Sequence, residues 1–119
     1  MKNTATKQLL ISIFLLLNLT NIAYGASNDI QISIKNGRFL PSEIDIPADT
    51  KVKLTIENLD DTPEEFESYD LNREVLIKAK SKASFYIGPL SPGAYKFEGE
   101  FSPETAQGVV RVKWWWEII

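Results

Sequence analysis

The fold is decided by residues 43–58, which read EIDIPADTKVKLTIEN. Apolar side chains occur here at every second position on both sides of a short break, and polar or charged side chains occupy most positions between them. The break, Pro47-Ala48-Asp49, contains residues that favour turns. Because the side chains of a β-strand point alternately to opposite faces, this pattern predicts two half-buried strands joined by a turn.

The same alternation extends outward from this stretch in both directions. It covers residues 30–34 before it and residues 95–97 and 110–112 after it, and turn signals such as Asn36-Gly37 separate the runs. No helical pattern of ten residues or more interrupts them. The sequence therefore predicts an all-β fold, an antiparallel β-sandwich of Greek-key topology with about seven or eight strands.

The composition excludes several functional classes. The chain has 119 residues, no Cys, no His and a single Met, which is the initiator. Disulfide frameworks, zinc fingers, iron–sulfur clusters, haem ligation by His, thiol nucleophiles and Ser-His-Asp triads all need the missing residues. With 13 Lys and Arg against 16 Asp and Glu, the net charge is −3, which argues against a nucleic-acid partner.

The first 25 residues have the pattern of a cleavable secretory signal peptide. Lys2 and Lys7 form a positive n-region, and residues 9–17 form an apolar run. Residues 23–26 supply the small side chains of a cleavage site, with the cut after Gly25 or after the alanine that follows it.

A retained membrane anchor is the alternative for this segment. Its uninterrupted apolar core is shorter than the roughly 20 residues of a membrane span, and Asn18 and Asn21 weaken it further. We therefore expect cleavage, which leaves a single domain at residues 26–119 in the periplasm. Because the leader contains two Lys and no acidic residue, its removal lowers the net charge from −3 to −5.

Beyond these patterns, the exported part of the chain resembles the cupredoxins. The resemblance is carried by FLPSEIDIPA at 39–48 with VKL at 52–54, by PGAYKF at 92–97 and by GVVRV at 108–112. These segments are similar to the opening strands and to the last two strands of a cupredoxin, and the likeness covers most of residues 30–113. It implies the cupredoxin β-sandwich.

Two shorter motifs resemble one particular group of cupredoxin-like proteins. EEFES at residues 64–68, and GPL at 88–90 combined with GEF at 99–101, resemble the cupredoxin-like proteins that accompany bacterial iron permeases in ferrous-iron uptake. This resemblance implies an accessory role in iron acquisition, beside a periplasmic iron-binding protein and an inner-membrane iron permease.

The copper ligands of a cupredoxin are all replaced in this chain. By the resemblance, Glu64 stands at the position of the first His, Gly99 at that of the Cys and Ser102 at that of the second His. The axial Met position falls near Thr105 or Ala106. A type-1 copper site needs a thiolate, two imidazoles and a weak axial ligand, so none is expected here.

Carboxylates stand near the same positions, and their oxygens suit hard cations such as Fe³⁺, Mn²⁺ and Ca²⁺. The preferred metal set is Glu64 or Glu67 together with Glu98 and Glu100, and the resemblance favours iron as the cation. The alternative is ordinary solvated surface, because strict alternation places Glu98 and Glu100 on the outward face with Lys96.

Three consecutive tryptophans, Trp114, Trp115 and Trp116, follow the last predicted strand. Because neighbours on a strand face opposite sides, all three cannot enter one core, and at least one is expected at the surface. Two interpretations remain open. Either the last strand continues and one or two of the rings cover the sandwich edge, or the rings contact a membrane protein or the bilayer interface, where Trp is favoured.

Two classes of function follow from these residues and resemblances. The first is metal binding or hand-over in iron uptake. The second is a non-metal β-sandwich adaptor whose acidic end or tryptophans bind a periplasmic or membrane protein. No catalytic residue is indicated, because carboxylates without a defined separation or cleft specify no reaction.

The n-region, the apolar run and the small residues near Gly25 predict that the leader is removed on export. Protein recovered from the periplasm of expressing cells should have the intact mass of a chain that begins at Ala26 or Ser27. A full-length species confined to the membrane fraction would contradict this prediction and would establish the retained anchor.

Overall fold

A computed structural model describes residues 29–119, and the predicted signal peptide lies outside the described residues. Within the described range, nine strands and one short helix follow in chain order: β1, Asp29–Lys35; β2, Arg38–Leu40; β3, Glu43–Pro47; β4, Val52–Asn58; β5, Glu64–Ser68; β6, Arg73–Ile77; β7, Lys82–Ile87; β8, Gly93–Gly99; β9, Gln107–Lys113; and helix α1, Trp115–Ile118. No helix in this part of the chain is long and apolar enough to cross a bilayer.

The strands form two sheets, which confirms the predicted β-sandwich. One sheet has the order β2-β1-β4-β7 and the other β3-β9-β8-β5-β6. The pairing is mixed: β1 runs parallel to β4 and β3 runs parallel to β9, while all other described pairs are antiparallel. The alternation in the sequence shows which side chains face inward but carries no information on strand direction, so these two parallel pairs were not predicted.

The alternating apolar side chains meet between the sheets, as predicted. Val52, Leu54 and Ile56 of β4 are completely buried, and Ile32, Ile34 and Ile87 on the neighbouring strands are at most 1% exposed. The core consists of these buried apolar residues: Ile32, Ile34, Phe39, Ile44, Ile46, Ala48, Val52, Leu54, Ile56, Phe66, Leu71, Ile77, Ile87, Phe97, Ala106, Val110 and Val112. Removal of this apolar surface from water is the main stabilising contribution to the fold.

Three aromatic rings join the two sheets near one end of the core. Phe39 from the first sheet packs edge-on against Phe97 of the second, with ring centroids 5.0 Å apart. Phe97 also stacks on Phe66 at 4.9 Å. The ring of Phe97 lies so close to Gly108 that a Cβ on this glycine would fall 2.2 Å from the ring. A glycine is therefore required at that position for the aromatic contact.

The two ends of the sandwich differ. The end formed by the hairpin at Asn36, the loop 59–63 and the loop 100–106 is called here the loop end. Two backbone N–H groups of the hairpin, those of Asn36 and Gly37, donate to the carboxylate of Asp60 at 2.7 and 2.9 Å. These two bonds tie the first hairpin to the start of the loop 59–63, so Asp60 has a structural role and is not only solvated surface.

The opposite end is called here the Trp end. The turn after β3 lies there, as do the first residue of β1 and the last residue of β9, because Asp29 pairs with Lys53 and Pro47 pairs with Lys113. Strand β9 ends at Lys113, and the tryptophans lead into α1 beside β3. The interpretation of the tryptophans as a continuation of the last strand is therefore wrong.

Phe66 packs against three other rings, those of Phe39, Phe85 and Phe97, so we expect it to contribute strongly to the stability of the sandwich. Phe66→Ala removes a fully buried ring and should lower the free energy of unfolding by about 3–5 kcal/mol, measured by urea titration. The matched control is Tyr69→Ala, since Tyr69 is 97% exposed, and it should change stability by no more than about 0.5 kcal/mol. Equal effects of the two substitutions would contradict the assigned core.

Candidate functional site

At the loop end, the structure brings together three of the positions at which a cupredoxin would hold copper. A Cβ placed on Gly99 would lie 2.7 Å from Cδ and 2.8 Å from Oε2 of Glu64, and 2.7 Å from Cβ of Ala106. Such separations are well below van der Waals contact. The carboxyl group of Glu64 therefore occupies the space in which a side chain at position 99 would stand.

Hydrogen bonds hold the Glu64 carboxylate in this place. The side chain is only 3% exposed, and its Oε1 accepts from the backbone N–H of Phe101 at 2.8 Å and from that of Glu65 at 2.9 Å. Bonds from a backbone N–H to an ionised acceptor are among the stronger hydrogen bonds in proteins. They connect the start of β5 to the loop that joins β8 and β9.

Backbone bonds close the same loop around Glu64. The N–H of Gly99 donates to the carbonyl of Ala106 at 2.8 Å, and the N–H of Ala106 donates to the carbonyl of Ser102, also at 2.8 Å. The hydroxyl of Thr105 is turned away to the carbonyl of Gly37 at 2.6 Å. The loop is thus ordered by hydrogen bonds that involve no metal ligand.

A type-1 copper ion does not fit this donor set. Of the positions that correspond to copper ligands, Gly99 and Ala106 have no donor atom in their side chains, and the Thr105 hydroxyl is engaged elsewhere. The carboxylate of Glu64 and the hydroxyl of Ser102 are oxygen donors, whereas the type-1 site depends on a thiolate and imidazoles. Among residues 29–119, no group of three or more acidic side chains is arranged to hold a metal ion.

Of the two predicted metal sets, the one with Glu64 does not converge, because Glu64 lies on the other side of the sheet from Glu98 and Glu100. The set with Glu67 lies on a single face. Strand β5 alternates strictly, so Glu64 faces the interior while Glu67 faces outward. Glu98 of β8 is paired directly with Glu67, and Glu100 follows at the end of the same strand. Glu64 is therefore removed from the predicted metal set. The alternation that placed Glu98 and Glu100 on the outward face also holds for β5, where it places Glu64 on the inward face.

The outward glutamates form one surface, called here the acidic face: Glu65, Glu67, Glu74, Glu98 and Glu100. Glu67 lies at its centre, paired across β5–β6 with Glu74 and across β5–β8 with Glu98. None of the ion pairs among the described residues involves any of the five. Sequence reasoning missed Glu74, since only the register of β6 against β5 places it beside Glu67.

Two of these glutamates, Glu65 and Glu67, have raised pKa values. Partial desolvation, followed by the charge and hydrogen bonding of Glu100, raises the pKa of Glu65 above its usual value. The negative charge of Glu100 is the largest cause that raises the pKa of Glu67, with desolvation and the charges of Glu74 and Glu98 behind it. Mutual repulsion of this kind is relieved by protonation or by a bound cation.

A shallow open groove of about 430 Å³ borders the acidic face. Glu67 and Glu98 form part of its lining, and Tyr69, Asp70 and Lys96 form the part nearer the Trp end. The groove does not reach Glu64, which lies on the inner side of the same sheet. Any ligand of the acidic face is therefore approached from solvent and is not enclosed.

The predicted partner-binding tryptophans lie at the other end of the molecule. Trp114, Trp115 and Trp116 are 38%, 63% and 56% exposed, so all three reach the surface. Their separation from the acidic face means that a ligand of one surface does not contact the other.

The fold agrees with comparison to known families. A family model described as a cupredoxin-like domain matches residues 8–112. The chain belongs to the cupredoxin-like domain family. An uncharacterised protein of Rickettsia prowazekii (strain Madrid E) is 42% identical over 84 residues, which span 71% of this chain and 67% of that protein.

Solved structures show the same fold in proteins of distant sequence. The metal-binding domain of a Cu(I)-exporting P-type ATPase from Streptococcus pneumoniae, solved with Cu(I), has a TM-score of 0.64 at 15% identity and covers 71% of this chain and 84% of that domain. A purple cupredoxin from Nitrosopumilus maritimus has a TM-score of 0.54 at 26% identity. The match covers 71% of this cupredoxin-like chain and 100% of the purple cupredoxin. Cu(I) is bound by the first of these two proteins, and its likeness to this chain concerns the fold alone.

The contact between Glu64 and Gly99 predicts a specific coupling. Gly99→Ala should lower the free energy of unfolding by about 1–3 kcal/mol, because its methyl group overlaps the carboxyl group. In a Glu64→Ala background this cost should shrink, giving a coupling free energy of about 0.5–3 kcal/mol in a double-mutant cycle by urea unfolding. A Glu104→Ala background, which changes an exposed glutamate of the same loop, is the control. Equal costs of Gly99→Ala in all three backgrounds would contradict the assigned contact.

Proposed function

We propose that this cupredoxin-like protein works in the periplasm as a copper-free accessory of iron uptake, and that its acidic face binds a hard cation transiently for hand-over. Its partners in this role are a periplasmic iron-binding protein and an inner-membrane iron permease. The cation is cargo, bound from the open side of the sheet, and the protein is not an enzyme in this proposal.

The observation that carries the proposal is the uncompensated charge around Glu67. Its carboxylate has a glutamate directly opposite on each neighbouring strand, and no Lys or Arg of the described chain forms an ion pair with any of these groups. Like charges directly opposite each other on a sheet are destabilising. A cation bound between these carboxylates would replace their mutual repulsion by attraction, and this difference favours binding.

The chemistry of the acidic face selects the kind of cation. Five carboxylates offer only oxygen donors, which suit iron, Mn²⁺ and Ca²⁺ better than Cu(I). Their exposure favours a weak, exchangeable complex in which the cation keeps part of its water shell. Weak binding is suited to hand-over, because a donor protein must release its cargo to the next site.

The resemblance to proteins that accompany iron permeases supports iron as the cargo. The motif at residues 64–68 supplies Glu65 and Glu67 to the acidic face, and the motif at residues 99–101 supplies Glu100. The same motifs contain Glu64 and Gly99, which close the copper position. The two segments that carry the resemblance therefore contribute both to the surface proposed to bind iron and to the loss of copper chemistry.

The proposal predicts a cation-dependent gain in stability. Thermal unfolding should shift upward with Mn²⁺, and with Fe²⁺ under anaerobic conditions, by an amount that corresponds to about 2.7 kcal/mol at a cation concentration one hundred times Kd. The shift should be lost in the triple variant Glu67→Gln, Glu98→Gln, Glu100→Gln. Without metal, this variant should be at least as stable as the wild type at neutral pH.

The directions of the pKa shifts explain why the metal-free variant should be at least as stable as the wild type. The raised pKa values of Glu65 and Glu67 mean that the native state binds more protons than the unfolded state just above the ordinary carboxyl pKa. Stability therefore falls as the pH rises through the raised values, and at neutral pH the full repulsion opposes folding. Neutral glutamines remove that repulsion.

A matched control separates the acidic face from net charge. The triple variant Asp29→Asn, Asp49→Asn, Glu117→Gln removes the same number of charges at the Trp end, from side chains with no ion pair among the described residues. It should keep the full cation response. A response that is equal in both variants and the wild type would overturn the proposed site.

The second candidate function is a non-metal adaptor whose acidic face binds a basic surface of a protein partner. The observation in its favour is the closure of the copper-ligand position by Glu64 and Gly99, which leaves the described chain with no enclosed metal site. It predicts no shift with any of the cations, together with loss of partner binding in the Glu67, Glu98, Glu100 variant. The same pair of variants therefore distinguishes the two functions.

A further inference from the structure

An apolar cluster covers the Trp end and has no role in the acidic face. Trp114 and Trp116 stack with ring centroids 5.3 Å apart and an angle of 7° between their planes, and Trp115 packs edge-on against Trp116 at 5.8 Å. Ile118 and Ile119 follow and are 40% and 95% exposed. Five large apolar side chains thus stand together at the surface, which is unusual unless they contact something.

The beginning of the described chain lies at the same end. Strand β1 starts at Asp29, which pairs with Lys53 beside the turn that leads into β4. The 28 residues before it include the apolar run at 9–17. The segment that directs this chain to a membrane therefore joins the domain at the end that carries the tryptophans.

The charges around the cluster are mixed. Lys51 lies over the ring of Tyr86 at 4.5 Å, and Lys113 is paired with Asp45 at 3.2 Å. Asp29, Asp49 and Glu117 add negative charge at this end. These two positive and four negative side chains leave an excess of two negative charges. The cluster is therefore not suited to a negatively charged partner surface, and its apolar side chains are what remains to make a contact.

We propose that the Trp end docks on a lipid bilayer, with the three tryptophans inserted at the level of the headgroups. Trp is favoured at that depth because its ring is apolar and its N–H is polar. Insertion of a few aromatic side chains gives weak, reversible binding, because its strength scales with the apolar area buried at the interface. The docking holds for either form of the chain: cleavage leaves reversible binding by the tryptophans, and a retained leader would hold the same end against the membrane.

A second copy of the chain is a less suitable occupant of this surface. A stable protein interface typically uses about 20–30 residues on each side. The apolar cluster has five, and Lys51, Lys113, Asp29 and Glu117 border it within the described chain. The patch is too small for a stable homodimer, whereas a bilayer needs no complementary shape.

The test uses the fact that Trp114, Trp115 and Trp116 are the only tryptophans of the chain, so its Trp fluorescence reports this end alone. The protein is used as recovered from expressing cells, with its processed form determined by mass. Phosphatidylcholine vesicles, alone and with phosphatidylglycerol, should shift the emission to the blue. Chains brominated near the headgroup should quench the emission, and added salt should have little effect.

Two variants make the result specific. Trp115→Ala with Trp116→Ala keeps Trp114 as the reporter, and the lipid concentration for a half-maximal shift should rise about tenfold. Phe101→Ala removes an exposed aromatic side chain at the loop end and should leave the lipid response unchanged. Because the signal comes from the tryptophans themselves, it is informative whether or not the leader is present.

Three results would overturn the docking proposal. The first is an emission that does not change with either vesicle. The second is a blue shift that depends on protein concentration without lipid and accompanies a dimer in sedimentation, which would make a second copy the occupant. The third is binding only to phosphatidylglycerol and only at low salt, which would assign the contact to charge. None of these results bears on the cation response of the acidic face, so the two proposals fail separately.

Discussion

The contact on which the loop end depends is that between Glu64 and Gly99. Because Gly99 has no side chain, a carboxyl group fits beside it and accepts two backbone hydrogen bonds, one of them from the loop that joins β8 and β9. In a type-1 copper site, side chains from the corresponding strand and loop meet on the metal. Here one carboxylate links the same two segments by hydrogen bonds, and the loop keeps its place with no thiol or imidazole in the chain.

The position of Glu64 also determines the surface outside it. With Glu64 and Phe66 directed inward, the two-residue period of β5 must direct Glu65 and Glu67 outward. The register of β5 against its neighbours then sets Glu67 between Glu74 and Glu98. The closed copper position and the acidic face are therefore two consequences of a single strand and its alternation, one on each side of the sheet.

Alternation was sufficient to predict the β-sandwich and its buried faces, and the residue types at Asn36-Gly37 and Asp49 were sufficient to predict the turns there, where the backbone adopts positive φ. It was not sufficient for features that depend on which strands become neighbours. Glu74 lies opposite Glu67 because the consecutive strands β5 and β6 pair in one particular register, and the alternation within each strand does not determine that register. The tryptophans turn into a short helix after Lys113, and three bulky neighbours in sequence carry no periodic signal that distinguishes a helix from a strand.

The placement of the two surfaces has an electrostatic consequence that links the proposals. Strand β4 has seven residues and runs from the Trp end to the loop end, a rise of about 20 Å. With the tryptophans on a bilayer, the acidic face, which lies toward the loop end, stands off the lipid surface by more than the Debye length of about 10 Å at 0.1 M salt. Repulsion between its glutamates and anionic lipids is then largely screened, which leaves the charges of the Trp end itself to act at the lipid surface. In that orientation the acidic face remains open to solvent.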